Sequence, residues 1–366
     1  MSKGPRPSML LGAGFCAAAC ALHCITIHNP AATILTHIAQ IFNGLAGPVS
    51  MSIGPVFSAA WFPSNQRITA TALIAVSNYV GIAFSFLVGP AMVGELSKDA
   101  TSEERDRIGQ ELLRYMYTEC AFAAVVLILT VAYFPNYPPN LPSVTAGHAR
   151  ESFGEGFWKL FRNRSFWIAS ISYGVVTGVF SGWSAYLLPN LEQFLSREKA
   201  QSESGWLGFY AILSGCVSGV IMSRVADRLG GKMKLMLVVM NLLGGGFAIW
   251  FSLMCTHTLP FRLDLAYISS IACGCLVNAS MPLFFEIAVE VAYPISEATT
   301  TTMLTTMNNV FCLVFLLMPD VPHLGNAWVN WTLVGACLTA GLLMTGFREN
   351  YRRLTIDAGT KFEVTV

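Results

Sequence analysis

The sequence predicts an all-α membrane protein, and three observations carry that expectation. Hydrophobic residues make up 54% of the 366 positions and charged ones only 12%. With a mean hydropathy of +0.55, the chain has more apolar side chains than a soluble core can bury. Ten apolar spans follow one another, at approximately 9–27, 33–61, 68–93, 115–134, 165–189, 205–222, 233–254, 265–289, 299–318 and 324–346. Each is near the ~20 residues that cross ~30 Å of hydrocarbon. The first span is too long for a signal peptide and lacks a small-residue cleavage pattern, so it reads as a spanning helix.

The third observation is the distribution of positive charge. With both termini on the cytoplasmic side, 15 of the 22 lysines and arginines fall in cytoplasmic segments and seven on the opposite side, the asymmetry that sets membrane topology. The 94–114 segment is also rich in acids, which suits an exterior or luminal loop. A net charge of +1 without a basic stripe gives no reason to expect a nucleic-acid partner. The bilayer is the partner composition requires.

Four spans precede a segment at 135–164 and six follow it. That segment opens Pro135-Asn136-Tyr137-Pro138-Pro139-Asn140-Leu141-Pro142, a proline density that favours extended geometry and reads as a linker. The expected organisation is a four-span bundle over 1–134, a cytoplasmic proline-rich linker over 135–164, a six-helix bundle over 165–347 and a cytoplasmic tail over 348–366.

One loop narrows the fold. Between two apolar helices runs Ser223-Arg224-Val225-Ala226-Asp227-Arg228-Leu229-Gly230-Gly231-Lys232-Met233-Lys234. Gly230 and Gly231 permit a tight reversal, Asp227 can bind the amides at a helix start, and Arg228 and Lys232 anchor the loop at the cytoplasmic face. An ordinary positive-inside loop is the bland alternative. The run resembles the cytoplasmic signature loop of the major facilitator superfamily. That resemblance implies two six-helix halves related by repetition, so the first half is short by two. Gly4-Pro5-Arg6-Pro7-Ser8-Met9-Leu10 overlays Gly230-Gly231-Lys232-Met233-Lys234-Leu235-Met236 without gaps. The expectation is that the chain starts at the tail of the first half's loop and that the N-terminal half lacks its first two helices. A short isoform and an incomplete sequence both fit.

Further motifs narrow the family. Gln40-Ile41-Phe42-Asn43-Gly44-Leu45-Ala46-Gly47-Pro48, Trp61-Phe62 and Arg67-Ile68-Thr69-Ala70-Thr71-Ala72 resemble solute carrier family 49, the feline leukaemia virus subgroup C receptor family. Gly178 to Ser184, Gly205 to Phe209, Phe284 to Glu290 with Tyr293-Pro294, and Phe347 to Tyr351 resemble its disrupted in renal carcinoma protein 2 branch. The resemblance implies a monomeric, proton-coupled lysosomal symporter moving pyridoxine from lumen to cytosol, with the plasma membrane as the alternative location. Relatives associated with choline, ethanolamine and haem leave those substrates open. A receptor or scaffold that does not transport also stays open, because two absent helices can leave no closed cavity.

In hydrocarbon every polar group needs a reason. Apart from Lys234 at a span edge, the spans hold two ionisable carboxylates, Glu119 and Glu286. Glu290 lies one turn beyond Glu286 on the same helix face, and Pro282 bends that helix by freeing the carbonyl of Asn278. Such acids suit a proton switch; a gate salt bridge or a carboxylate reaching cytoplasmic water is the other reading. Arg67, at the start of the third span, is the expected partner of Glu286 and Glu290. Polar stripes mark a substrate path. Tyr173, Thr177, Ser181 and Ser184 recur at helical spacing, as do Thr302, Thr305 and Asn309, with Asn308 alongside. Asn78 and Tyr79 sit mid-span. By resemblance to choline-transporting relatives, Tyr79, Ser181 and Asn309 fall at cavity-lining positions where those relatives have Gln, Tyr and Gln. Hydroxyls in membrane helices commonly serve packing instead. Trp183 points away from the Tyr173 stripe and reads as an interface anchor.

Other constellations carry no chemistry. Cys16, Cys20 and Cys24 with His23 lack a second ligand pair of zinc spacing, and read as packed cysteines rather than a metal site. Asn163, Asn278 and Asn330 begin glycosylation patterns in positions unsuited to modification. No phosphate-binding glycine loop, zincin motif or nucleophile elbow occurs, so neither a cofactor nor an enzyme is expected. Gly47-Pro48 and Gly54-Pro55 interrupt one helix and suggest a hinge.

Overall fold

Backbone amides and carbonyls find no water partners in hydrocarbon, so a spanning chain of this composition folds as helices. The computed structural model describes residues 5–94, 101–136, 138, 142, 153–229, 231–318, 327–351 and 353–356. These residues form twelve helices and no strand. They are α1 (Pro5–His23), α2 (Ala31–Trp61), α3 (Arg67–Met92), α4 (Ser102–Tyr133), α5 (Phe153–Phe161), α6 (Arg164–Ser184), α7 (Leu187–Leu191), α8 (Arg197–Leu229), α9 (Met233–Cys255), α10 (Leu263–Ala292), α11 (Glu297–Leu317) and α12 (Ala327–Thr345).

Eight of them are long and apolar enough to cross a membrane, namely α3, α4, α6, α8, α9, α10, α11 and α12 from Trp328. The sequence count was ten. The two others, α1 and α2, have 19 and 31 residues, but Pro5, Arg6 and Pro7 in the first and His37, Gln40 and Asn43 in the second dilute their apolar character.

Helix boundaries depart from the hydropathy pattern where polar residues are good helix formers. Part of the expected 94–114 loop is helical, because Thr101 caps α4: its Oγ1 accepts the Glu104 amide at 3.3 Å. Glu103 and Glu104 then meet the positive helix start. Likewise α8 runs 33 residues from Arg197, well beyond the apolar 205–222. The expected 165–189 span instead breaks after Ser184. Pro189 cannot return a hydrogen bond to Ala185, and the Ala185 and Tyr186 amides turn back three residues, to Gly182 and Trp183. Within 135–164, residues Phe153–Phe161 are helical; half of the proline-rich opening lies outside the described residues. The expected hinge helix α2 is continuous through Pro48 and Pro55.

The chain forms two compact units, Met1–Ile53 with Ser85–Pro139, and Gly54–Phe84 with Asn140–Val366. In the first, α1 packs on α4. The Arg6 guanidinium donates to the Val131 carbonyl at 2.9 Å, and the Cys24 thiol donates to the Met116 carbonyl at 3.4 Å.

In the second unit, α8 packs on α10, α6 on α11, and α9 on α12 and α10. Gly174, Gly178 and Gly182 form the close face of α6. A Cβ at Gly174 would stand 2.8 Å from Met307 Cβ, and one at Gly178 would collide with the Asn308 carbonyl. Such small-residue stripes let membrane helices approach closely. Trp183, read above as an interface anchor, is instead buried. Its Nε1 donates to Asn330 Oδ1 at 2.7 Å, and its ring meets Phe251 edge-on; a buried indole N–H needs such an acceptor. Asn330 donates in turn to Asn190 at 3.0 Å, so α6, α7 and α12 share one polar knot.

The glycine stripe makes a direct test. Gly178→Val should lower the stability of the protein in detergent by about 1–3 kcal/mol, the cost of overpacking, and should lower the midpoint of thermal unfolding. Gly246→Val, at a glycine with open space around its Cβ position, should leave the midpoint near that of the parent.

Candidate functional site

All the polar geometry below belongs to the second unit, apart from Glu119. Tyr79 on α3 directs its hydroxyl at the Met281 sulfur on α10. Tyr173 on α6 is buried, its ring 5.8 Å from that of Phe284 and 5.3 Å from that of Phe285. Tyr79 is close enough to Tyr173 and Cys216 to feel their charge. Two tyrosines chosen from sequence on separate helices thus meet the same stretch of α10, Met281 to Phe285. Asn308 is committed to packing: its amide donates to Thr177 Oγ1 at 2.7 Å, which donates to the Tyr173 carbonyl at 2.6 Å. Ser181 and Asn309 lie on exposed faces of α6 and α11, and Asn78 is half-buried on α3.

The second constellation is charged. Arg353, in the helical turn 353–356, is 1% exposed and meets three buried carboxylates. Its Nε bonds Glu290 Oε1 at 3.1 Å, one Nη contacts Glu286, and the other stands 3.5 Å from Glu297. The amides of Arg353 and Leu354 donate to Glu290 Oε2 at 3.1 and 3.3 Å. Burial alone would disfavour the guanidinium charge, but the three carboxylates outweigh it and raise its pKa further above the ordinary value. Arg353 is thus a partner of Glu286 and Glu290 that sequence reasoning, which nominated Arg67, did not find. An arginine that follows Arg352 in a polar tail reads as one more positive-inside residue. Glu297 was missed because it precedes the apolar run.

Arg67 is itself buried at the start of α3, beside the anchor of the signature loop. Asp227, near the end of α8, accepts the Thr69 amide at 2.9 Å, the Ile68 amide at 3.3 Å and the Thr69 hydroxyl at 2.5 Å. A carboxylate there satisfies first-turn amides and meets the positive end of the α3 dipole. Glu286 is close enough to Asp227 to act on its charge. Beyond α8, Gly231 has φ +74°, the left-handed turn glycine supplies. Arg228 and Lys232 are exposed, and Gly230 lies outside the described residues.

The tail holds this turn as well. The Lys234 ammonium donates to the Phe347 carbonyl at 2.8 Å and its amide to Glu349 at 2.9 Å. The Tyr351 hydroxyl accepts the Met233 amide at 3.3 Å and donates to Glu349 at 2.8 Å. Burial, followed by Glu349, raises the Tyr351 pKa, so it remains a neutral donor. Glu119 stands apart in the first unit, exposed on α4, with Tyr115, Cys16, Cys20 and Cys24 as electrostatic neighbours. Among the described residues no group of three metal-ligating side chains occurs.

Removing Arg353 leaves three carboxylates buried without their cation. Arg353→Ala should destabilise the protein by about 3–5 kcal/mol, measured by thermal unfolding in detergent. Glu297→Gln, at the longest of the three contacts, should cost far less; equal losses would show that the guanidinium does not organise the cluster.

Comparison with known proteins agrees with this architecture. The profile of the Major Facilitator Superfamily matches residues 1–319. The solute carrier family 49 member 4 homolog of Xenopus laevis is 34% identical over 365 residues, covering 97% of this chain and 79% of that protein. The choline/ethanolamine transporter FLVCR1 of Felis catus is 25% identical, covering 98% and 63%. Among solved structures, the E. coli fucose:proton symporter FucP superposes with a TM-score of 0.69 at 13% identity, covering 94% of this chain and 84% of that one. The human organic anion transporter MFSD10 gives a TM-score of 0.66 at 16% identity, covering 93% and 77%. A helical membrane bundle with these signatures, matched in sequence over nearly its whole length, is a multi-pass membrane transporter: the chain belongs to the major facilitator superfamily, in solute carrier family 49.

Proposed function

We propose that this carrier exports pyridoxine from the lysosomal lumen to the cytosol, with protons as the coupling ion. The observation that supports this most is the convergence of Tyr79 and Tyr173 with Met281, Phe284 and Phe285. A flat heteroaromatic ring packs well against such side chains. Ser181 and Asn309 are exposed on spanning helices, where facing lipid would be costly, so they fit a water-lined path and could bond the substrate hydroxyls. With α1 and α2 as two further spans, the carrier would have ten, four before the 135–164 linker and six after it.

Choline or ethanolamine is the second reading. A relative named for those substrates covers nearly the whole chain, and a tyrosine face also attracts a quaternary ammonium. Uptake into proteoliposomes with both compounds side by side separates the readings. We expect saturable pyridoxine flux that rises when the luminal side is acidified. Tyr79→Ala should cut transport efficiency about tenfold, equivalent to roughly 1.4 kcal/mol of lost interaction. Saturable choline flux without pyridoxine flux would assign the second reading; no flux of either would sink both.

Proton coupling needs a carboxylate whose protonation changes which side is open. Glu286 and Glu119 are the candidates inside the spans, and Glu286 adjoins both Glu290 and the capped start of α3 at Arg67. Replacing the responsible glutamate with Gln should preserve substrate exchange but abolish accumulation driven by a pH gradient. Full coupling in both Glu286→Gln and Glu119→Gln would overturn this mechanism. Charge reversal at Arg67 should also slow transport, and a double-mutant cycle with Glu286 reads whether the two act together.

A further inference from the structure

The α5–α6 turn carries positive charge where a helix start already provides it. Arg162 and Arg164 flank Asn163, the N-cap of the 21-residue α6, and no acid occupies the first turn of that helix. Cations beside a helix N-terminus oppose its dipole; Arg162 and Arg164 are exposed, so water softens that cost, and an anion in the space before the helix would reverse it. That space exists. A cavity of about 570 Å³ opens there, lined by Arg162, Arg164 and, from the tail beyond α12, Arg348, with Ser165 and Asn350 as further donors. No acidic side chain lines it. Among the described residues none of the three arginines has an ion-pair partner, and nearby Glu349 is turned to Lys234 and Tyr351 instead.

The turn is also fixed in place. Asn163 Oδ1 accepts the Phe166 amide at 3.1 Å, and its Nδ2 donates to the Val291 carbonyl at 2.9 Å. Trp167 Nε1 donates to the Phe161 carbonyl at 2.9 Å. On the same edge α5 presents Trp158 at 67% and Phe161 at 47% exposure, with Phe161 ringed against Trp158 and Trp167. An amphipathic helix with outward aromatics beside basic residues is the pattern of a segment lying in the membrane interface. A basic pocket adjoining such a helix has the chemistry of a phosphorylated lipid headgroup site.

We propose that this cavity binds the phosphorylated headgroup of an anionic lipid in the cytoplasmic leaflet, with α5 lying alongside in the interface. The three guanidinia and the first amides of α6 bind phosphate oxygens, while Trp158 and Phe161 enter the acyl boundary. A soluble phosphate ester shares the headgroup chemistry but leaves the aromatic pair unused.

The test is direct binding, independent of transport and of substrate identity. Dioctanoyl phosphatidylinositol 4-phosphate is titrated into the full chain held in phosphatidylcholine nanodiscs. We expect saturable binding that weakens with salt, falling about fivefold for Arg348→Gln and about a hundredfold for Arg162, Arg164 and Arg348 changed together to Gln. Arg224→Gln, which removes an exposed charge elsewhere on α8, should leave binding unchanged. Trp158→Ser with Phe161→Ser should weaken the lipid but not inositol 1,4-bisphosphate. Equal affinity for lipid and inositol bisphosphate would overturn the lipid as occupant. Unchanged binding in Arg348→Gln, or an equal loss in Arg224→Gln, would overturn the site.

Discussion

A charge withdrawn from water must find its opposite, and in this protein that requirement is concentrated on one guanidinium. Glu286 and Glu290 project from one face of α10, Glu297 from the start of α11, and none could remain charged at such burial alone. Arg353 reaches all three and adds the backbone amides of its own turn to Glu290. The tail thereby becomes part of the bundle. Its preceding residues bind the α8–α9 turn, and Asp227 of α8 caps α3 close to Glu286. Remove the cation and the end of α10 and the start of α11 lose their common anchor.

Away from that end, the unit relies on shape rather than charge. Helices in lipid gain little from hiding apolar surface from one another, so contact comes from close approach and from polar groups bonded across helices. The α6 stripe of glycines supplies the first against α11. The amides of Asn308 and Asn330 supply the second, each reaching a helix far away in sequence. The tyrosines and methionine lie on α3, α6 and α10, so the α6 that the glycines hold against α11 also carries Tyr173.

Composition and loop charge were enough to read a helical membrane protein from sequence, and the signature loop pointed to the family. Helix ends were less legible. Hydropathy marks where a helix is apolar, but Glu103, Glu104 and the polar start of α8 continue a helix into water, and Thr101 rather than a hydropathy change fixes the α4 start. Of the site residues, Tyr79 and Tyr173 are brought together, while Asn308 is held by Thr177 and Glu119 lies elsewhere. Arg353 was invisible because its meaning comes from a fold-back of the tail, which no local pattern records. Trp183 was misread for a related reason: its acceptor, Asn330, lies 147 residues along the chain.

That separation bears on how the protein is made. Trp183 and Asn190 leave the ribosome well before Asn330, which lies 140 residues beyond Asn190, a delay of about 7–28 s at ordinary synthesis rates. Throughout it an indole N–H and a carboxamide have no native acceptor, a state that lipid tails penalise. Until α12 arrives, the nascent α6 and α7 lack the partner that satisfies these two groups. Closure of this polar knot depends on α12, and a stop anywhere before it leaves Trp183 and Asn190 without Asn330.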